Sequence, residues 1–176
     1  MNPNQYQRQL KFTLPPGRSA FLWGARQTGK TTLLRERFPN SVNFDLLDSD
    51  IMLRFLSRPR TLGEELAVFG EAAHTNPIVI DEFQKVPTLL DEIHRLIESE
   101  KFSFILCGSS ARKLNRSGVN LLGGRAWRYS LYPLSWSEIP EFDLLTAMTT
   151  GLLPGLYAQS NSRRSGKKKC WILAIF

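Results

Sequence analysis

Cysteine is scarce in this chain: its 176 residues hold two, Cys107 and Cys170. A disulfide framework is thereby excluded, and so is a structural zinc site built from cysteines. Glycine (12) and proline (10) are too few for a collagen-like or low-complexity chain. No apolar run approaches the roughly 20 residues that a membrane-spanning helix needs. The opening MNPNQYQRQL has no apolar stretch and does not read as a secretory signal. What is present is ordinary for a globular protein, 42% hydrophobic and 22% charged. At this length a domain buries about two-thirds of its unfolded surface, so a core forms without staples. The expectation is a soluble, cytoplasmic protein with no membrane partner.

The net charge of +7 points toward nucleic acid only until it is located. Residues 163–169 read RRSGKKK and carry five positive charges. Without them 18 basic residues face 16 acidic ones. A basic run of this kind is ordinarily a solvated tail, so the core gives no support to a nucleic-acid partner.

Strands and helices alternate along the chain. Ser19 to Trp23 is short, apolar and followed by glycine, which predicts a buried strand. A helix is expected from Thr31 to Phe38, stopped by Pro39, with Leu33, Leu34 and Phe38 on one face. Ser41 to Asp45 reads as a second strand and Asp48 to Leu56 as a second helix. Thr61 and Glu64 have capping-box spacing and predict a helix running to about His74. Ile78-Val79-Ile80 is β-branched without polar alternation, as in a parallel strand covered on both faces. Thr88 and Asp91 predict a cap for a helix that places Leu89, Ile93, Leu96 and Ile97 on one side. Phe102 to Cys107 is the next buried strand. Trp127, Tyr129 and Leu131 alternate with polar residues in a fifth strand, and Ser135 with Glu138 forms another capping box. Five strands alternating with helices predict an open α/β sheet with right-handed crossovers.

Gly24-Ala25-Arg26-Gln27-Thr28-Gly29-Lys30-Thr31 fits G-x-x-x-x-G-K-[ST] without a mismatch. Gly24 and Gly29 permit the tight turn that lets backbone N–H groups converge on phosphate oxygens. The helix that follows adds its positive N-terminal end. Lys30 brings a point charge to the β- and γ-phosphates, Thr31 offers a hydroxyl to Mg²⁺, and the expected nucleotide-binding run extends from Gly24 through Ala25, Thr28 and Gly29 to Thr32. Arg26 and Gln27 fill variable slots, facing either the nucleotide or water. A glycine turn with an incidental lysine would not bring the full pattern into a strand-loop-helix setting.

Asp81 and Glu82 end the Ile78-Val79-Ile80 strand. Ligands of open α/β sheets sit beyond the carboxyl ends of the strands, so this acid pair belongs at the same mouth as the loop. Asp81 is suited to hold Mg²⁺, and Glu82 to orient and polarise an attacking water. An acid pair capping a surface turn is the plain alternative. Ser109 and Ser110 end the Phe104–Cys107 strand, where a hydroxyl can sense the γ-phosphate or cap a helix. On the residues alone Arg125 reads as a surface arginine. His74 and His94 have no partners at metal spacing, and Cys107 reads as a small core residue. The aromatics Trp127, Tyr129, Tyr132 and Trp136 read as core or domain interface rather than a base-stacking platform.

GARQTGKTTLL, IVIDEFQKVPTLLDEIH, FILCGSSARKL and NLLGGRAWRYSLYPLS together resemble landmarks of prokaryotic ATPases of the AAA+ superfamily. More narrowly they resemble the group whose ATPase domain precedes a C-terminal domain of unknown function. The phosphate loop is common to many nucleotide-binding families, whereas the run from DEFQKVP to GGRAWRYSLYPLS is much more specific. The resemblance spans about residues 15–157. It implies an α/β P-loop NTPase fold, a three-layer sandwich around a parallel five-stranded sheet in the order 5-1-4-3-2. It supports Ser109 as a γ-phosphate sensor and makes Arg125 an arginine finger or sensor. The expected division is an ATP-binding domain over 1–157 and an aberrant basic tail over 158–176, the mark of a truncated or frame-shifted end. The expected function is binding of ATP with Mg²⁺ and its hydrolysis, coupled to an unidentified protein partner or to self-association. The alternative is a nucleotide-dependent interaction module with little turnover. A P-loop kinase is the third reading, and the Asp81-Glu82 pair disfavours it by pointing to water as acceptor.

Overall fold

The computed structural model describes residues 6–15, 17–109 and 126–159. They belong to two compact units. Those of one are 12–15, 17–25, 30–109 and 126–131; those of the other are 6–11, 26–29 and 132–159.

The larger unit is an α/β sheet domain. Strand β1 (Ser19–Trp23) leads to helix α1 (Lys30–Arg37), β2 (Asn43–Asp45), α2 (Ser49–Ser57), α3 (Thr61–Phe69) and α4 (Glu71–Thr75). Then follow β3 (Ile78–Asp81), a 3₁₀ turn (Phe83–Lys85), α5 (Leu89–Ser99), β4 (Phe104–Gly108) and β5 (Ala126–Ser130). All strand pairs are parallel, and the order β2-β3-β4-β1-β5 is the expected 5-1-4-3-2 read from the other edge. Every residue of β1 and β4 is buried, which is why the sequence runs apolar there without alternation. On one face Phe21, Ile78, Ile80, Phe104 and Leu106 pack in a core with Phe55 of α2, Leu62 and Leu66 of α3, and Leu89, Ile93 and Leu96 of α5. Residues of opposite pleat, Ala20, Leu22, Val79, Ile105 and Cys107, are buried as well.

Register sets the site. Leu22 lies beside Cys107, Ile80 beside Leu106 and Asp45 beside Asp81. The parallel strands therefore end together, with Gly24, Asp81 and Gly108 at one edge of the sheet. The Gly24 N–H donates to Gly108 O across 3.2 Å, tying the start of the glycine loop to the end of β4.

Several expected details differ. The helix expected from Thr61 to His74 is two helices, because Gly70 turns the chain at φ 54° between α3 and α4. Thr61 lies inside α3, with Arg60 at its cap, so no Thr61–Glu64 capping box forms. Thr88 sits at the cap of α5 in helical geometry and its side chain makes no capping bond. In α2, by contrast, Asp48 caps through its carboxylate, accepting from Asp50 N–H at 2.9 Å. Strand β2 spans three residues, Asn43–Asp45, and Val42 just before it still accepts the Val79 N–H at 2.8 Å. The aromatic stripe is not core throughout: β5 is an edge strand, and Trp127 is 51% exposed, stacked on Tyr129. Tyr132 and Trp136 are exposed too.

In the smaller unit Leu134, Ile139 and Tyr157 form a core with Tyr6, Ala147 and Leu152. The Ser135–Glu138 capping box forms here in both directions, on the 3₁₀ turn Trp136–Glu138. Helix α6 (Leu144–Thr150) is capped by the Asp143 carboxylate, and helical residues 154–159 follow. Among the described residues no helix is long and apolar enough to cross a membrane.

Candidate functional site

Lys30 opens α1, and its side chain turns back over the loop. Its Nζ donates to Gly24 O at 2.8 Å and to Ala25 O at 3.2 Å. The residue is 7% exposed, so a nearly buried ammonium is held by two neutral carbonyls. Such carbonyls are weaker partners than an anion, which leaves the charge available to a stronger acceptor. Ala25, Arg26 and Gln27 are exposed, and Gln27 adopts φ 64°, a left-handed conformation that a non-glycine residue takes at a cost of about 1–2 kcal/mol. Gly29, at φ 92°, occupies a region that favours glycine. Thr28 is fully buried, and the hydroxyl-bearing Thr31 and Thr32 are exposed.

Thr31 Oγ1 donates to Asp81 Oδ2 at 2.9 Å. The other carboxylate oxygen of Asp81 accepts the Glu82 N–H at 2.9 Å. Glu82 itself is left-handed, at φ 52° and ψ 37°, and 6% exposed. A buried carboxylate on a strained backbone persists only where its surroundings hold it. Here the holder is Gln84, whose Nε2 donates to Glu82 Oε2 and, at 3.2 Å, to Ser109 Oγ. One amide thus joins the acid after β3 to the hydroxyl after β4.

Cys107 borders this group. Burial drives its thiol pKa well up, the Asp81 charge adds to the rise, Lys30 opposes it, and Glu82 adds again. The thiol is therefore a protonated core group, as its place in a buried strand predicts.

The structure thus brings together Lys30, Thr31, Asp81, Glu82 and Ser109. Ser110 and Arg125 lie outside the described residues. His74 stacks on Phe102 with ring centroids 4.3 Å apart, and His94 lies 3.9 Å from Glu98 on α5. Among the described residues no group of three or more His, Cys, Asp or Glu could hold a metal. The Thr31 hydroxyl and Asp81 carboxylate are hard oxygen donors, and two of them suit Mg²⁺, which keeps several waters and takes phosphate oxygens.

Two residues of this neighbourhood escape a reading of the sequence. Gln84 is one; beside Lys85 between Phe83 and Val86 it is an ordinary polar turn residue with no local signal. Arg8 is the other. Its Nη1 donates to Thr28 O at 2.7 Å, and its Nε lies 3.2 Å from Glu138 Oε1. Contacts 20 and 130 residues apart leave no local pattern to find.

A parallel sheet in 5-1-4-3-2 order, with a glycine-lysine-threonine loop after β1 and an acid at the end of β3, defines a P-loop nucleotide-binding domain. The chain belongs to the AAA domain family, whose profile matches residues 17–140. The uncharacterized protein MJ1544 of Methanocaldococcus jannaschii is 25% identical over 141 residues, covering 77% of this chain. The match takes in 31% of that relative, so this chain spans about a third of its length. The crystal structure of Pif1 helicase from Candida albicans aligns with 69% of this chain and 38% of its own, at TM-score 0.40 and 17% identity. A likeness that weak carries no argument about function.

Proposed function

We propose that this chain binds ATP with Mg²⁺ on the Gly24–Thr31 loop and hydrolyses it to ADP and phosphate. The observation that carries the reading is the 2.9 Å bond from Thr31 Oγ1 to Asp81 Oδ2. It joins the end of the glycine loop to the acid of β3, the two parts that phosphoryl transfer needs side by side.

Gly24 starts the turn with its N–H held by Gly108 O, and the loop N–H groups that follow, to Thr32, cradle the phosphates. Lys30 exchanges its two carbonyl partners for β- and γ-phosphate oxygens, gaining charge-assisted bonds about twice as strong. Thr31 and Asp81 would hold Mg²⁺, which neutralises phosphate charge when bound. Glu82 acts as the base. Gln84 occupies its Oε2, leaving Oε1 to accept a proton from the attacking water. Ser109, whose oxygen accepts from Gln84, keeps its own O–H to donate toward the γ-phosphate. The family resemblance adds Arg125 as the cation for charge developing on the transferred phosphoryl group. The nucleotide cycle then drives or switches a protein partner.

Phosphate release from Mg·ATP, measured for the wild type and Glu82→Gln, tests this reading. The amide keeps the size and hydrogen bonding of the side chain but cannot act as an anionic base. Turnover should fall on the order of 10²-fold or more while binding persists. Equal turnover in the two proteins would move the catalytic role away from Glu82. Binding without any wild-type turnover would favour an interaction module instead.

A further inference from the structure

Each of the three nitrogens of the Arg8 guanidinium has an acceptor. Nε pairs with Glu138 Oε1 at 3.2 Å, Nη1 donates to Thr28 O at 2.7 Å and Nη2 donates to Tyr132 O at 2.5 Å. The side chains of Arg8 and Glu138 are 9% and 5% exposed. Glu138 is fixed in turn: its Oε1 accepts the Gln9 N–H at 2.6 Å and its Oε2 accepts the Ser135 N–H at 3.0 Å. Taking two charges out of water is costly unless hydrogen bonds compensate, and here every guanidinium nitrogen and both carboxylate oxygens have a partner. A rigid, planar fork aimed at a backbone carbonyl of the glycine loop is more than a surface ion pair.

The direction of that carbonyl has a chemical consequence. Within one planar trans peptide, the C=O of Thr28 and the N–H of Gly29 point opposite ways. Holding the Thr28 carbonyl on Arg8 therefore points the Gly29 N–H in the opposite direction within that plane. Gly29, at φ 92°, has no side chain to fix that plane, so the orientation depends on what grips the carbonyl.

We infer that Arg8 is a positioning residue for phosphate binding, which orients the Gly29 N–H by holding Thr28 O and is itself held by Glu138. The inference rests on the loop being the nucleotide site. It assigns the segment before β1 a part in nucleotide affinity.

Calorimetric titration with Mg·ATP tests it in four variants of the full chain. Arg8→Lys keeps a charge beside Glu138, but one nitrogen cannot reach all three acceptors. Its affinity should fall on the order of 10-fold, the size of effect that a displaced supporting contact has on a site. Glu138→Gln, which loosens the anchor and leaves the loop untouched, should weaken binding in the same direction by less. Tyr157→Phe removes the hydroxyl that accepts the Asp143 N–H in the same compact unit. It should lower the melting temperature with the affinity unchanged. In ¹⁵N-glycine-labelled protein, the Gly29 amide resonance should move on adding ADP in the wild type and move less in Arg8→Lys. Wild-type affinity in Arg8→Lys would overturn the inference, as would an equal loss in Tyr157→Phe. If Arg8→Lys does not fold, Glu138→Gln decides: weaker binding supports the inference, and an unchanged dissociation constant overturns it. Lys30→Ala separates the two levels. Unchanged binding there sinks the nucleotide site itself, whereas lost binding there with normal Arg8→Lys sinks only the role of Arg8.

Discussion

The Thr31 hydroxyl donates to Asp81 across 2.9 Å, although the two residues stand 50 apart in the chain. The sheet makes this contact: β1 delivers the loop and β3 delivers the acid to the same edge, with β4 between them. Two hard oxygen atoms meet there, beside a lysine whose ammonium donates to two carbonyls of its own loop.

Asp81→Asn isolates the charge from the geometry, because the amide oxygen can still accept from Thr31. ATP affinity without Mg²⁺ should stay near the wild-type value. The gain in affinity that Mg²⁺ brings should shrink by at least the roughly 10-fold that loss of a supporting partner costs a metal site. Titrations with Mg²⁺ and with EDTA measure both. An undiminished Mg²⁺ effect would place the ion elsewhere.

Gly108 is required by its neighbours. A Cβ there would meet Gln84 Oε1 and would stand 2.5 Å from Trp23 Cζ3. Trp23 stacks on Phe21 at 5.5 Å, with the planes 6° apart, and is buried, so it has little room to move. Gly108→Ala should cost about 1–3 kcal/mol, as overpacked cores do. Urea unfolding reads the loss. A wild-type midpoint would show that the ring and the amide adjust freely.

The same glycine shows how far the sequence could be read. A buried strand ending in small residues predicts β4, and β1 and β3 are equally plain because burial on both faces leaves an apolar run. The phosphate loop and the Asp81-Glu82 pair are local patterns, so their place at one sheet edge follows from topology. Capping is less legible. Thr61 and Thr88 have the right spacing, yet Thr61 falls inside its helix behind Arg60, and Thr88, at the cap, has a helical backbone and makes no side-chain capping bond. Gly70 has the chemistry of a helix stop inside an apparently continuous pattern. Gln84 and Arg8 could not be found at all, since their roles arise from contacts made only after the chain folds. The exposed aromatics of β5 mislead for a related reason: alternation tells which residues share a face, and not whether that face is covered.

Glu138 gives a pH signature. Burial raises the pKa of its carboxyl, but hydrogen bonds from the Gln9 and Ser135 N–H groups and the Arg8 charge outweigh this, and the net shift is downward from 4.5. A carboxyl with a lowered folded pKa adds stability that is fully present above its unfolded pKa and is lost as pH falls through the folded one. The chain should therefore lose stability below about pH 4.5, and Glu138→Gln should flatten that part of the curve. Urea midpoints from pH 3 to 7 test this. Parallel curves for the two proteins would contradict the assignment.

The central claim is that the Gly24–Thr31 loop holds nucleotide phosphates, and calorimetric binding of Mg·ATP to Lys30→Ala tests it most directly. Lys30 is the cation of the loop motif itself, bonded to Gly24 O, and removing it takes away its charge-assisted bonds to phosphate. The account predicts that most of the affinity disappears while the folded protein persists. An unchanged dissociation constant in folded Lys30→Ala would show that the nucleotide, if bound, sits elsewhere.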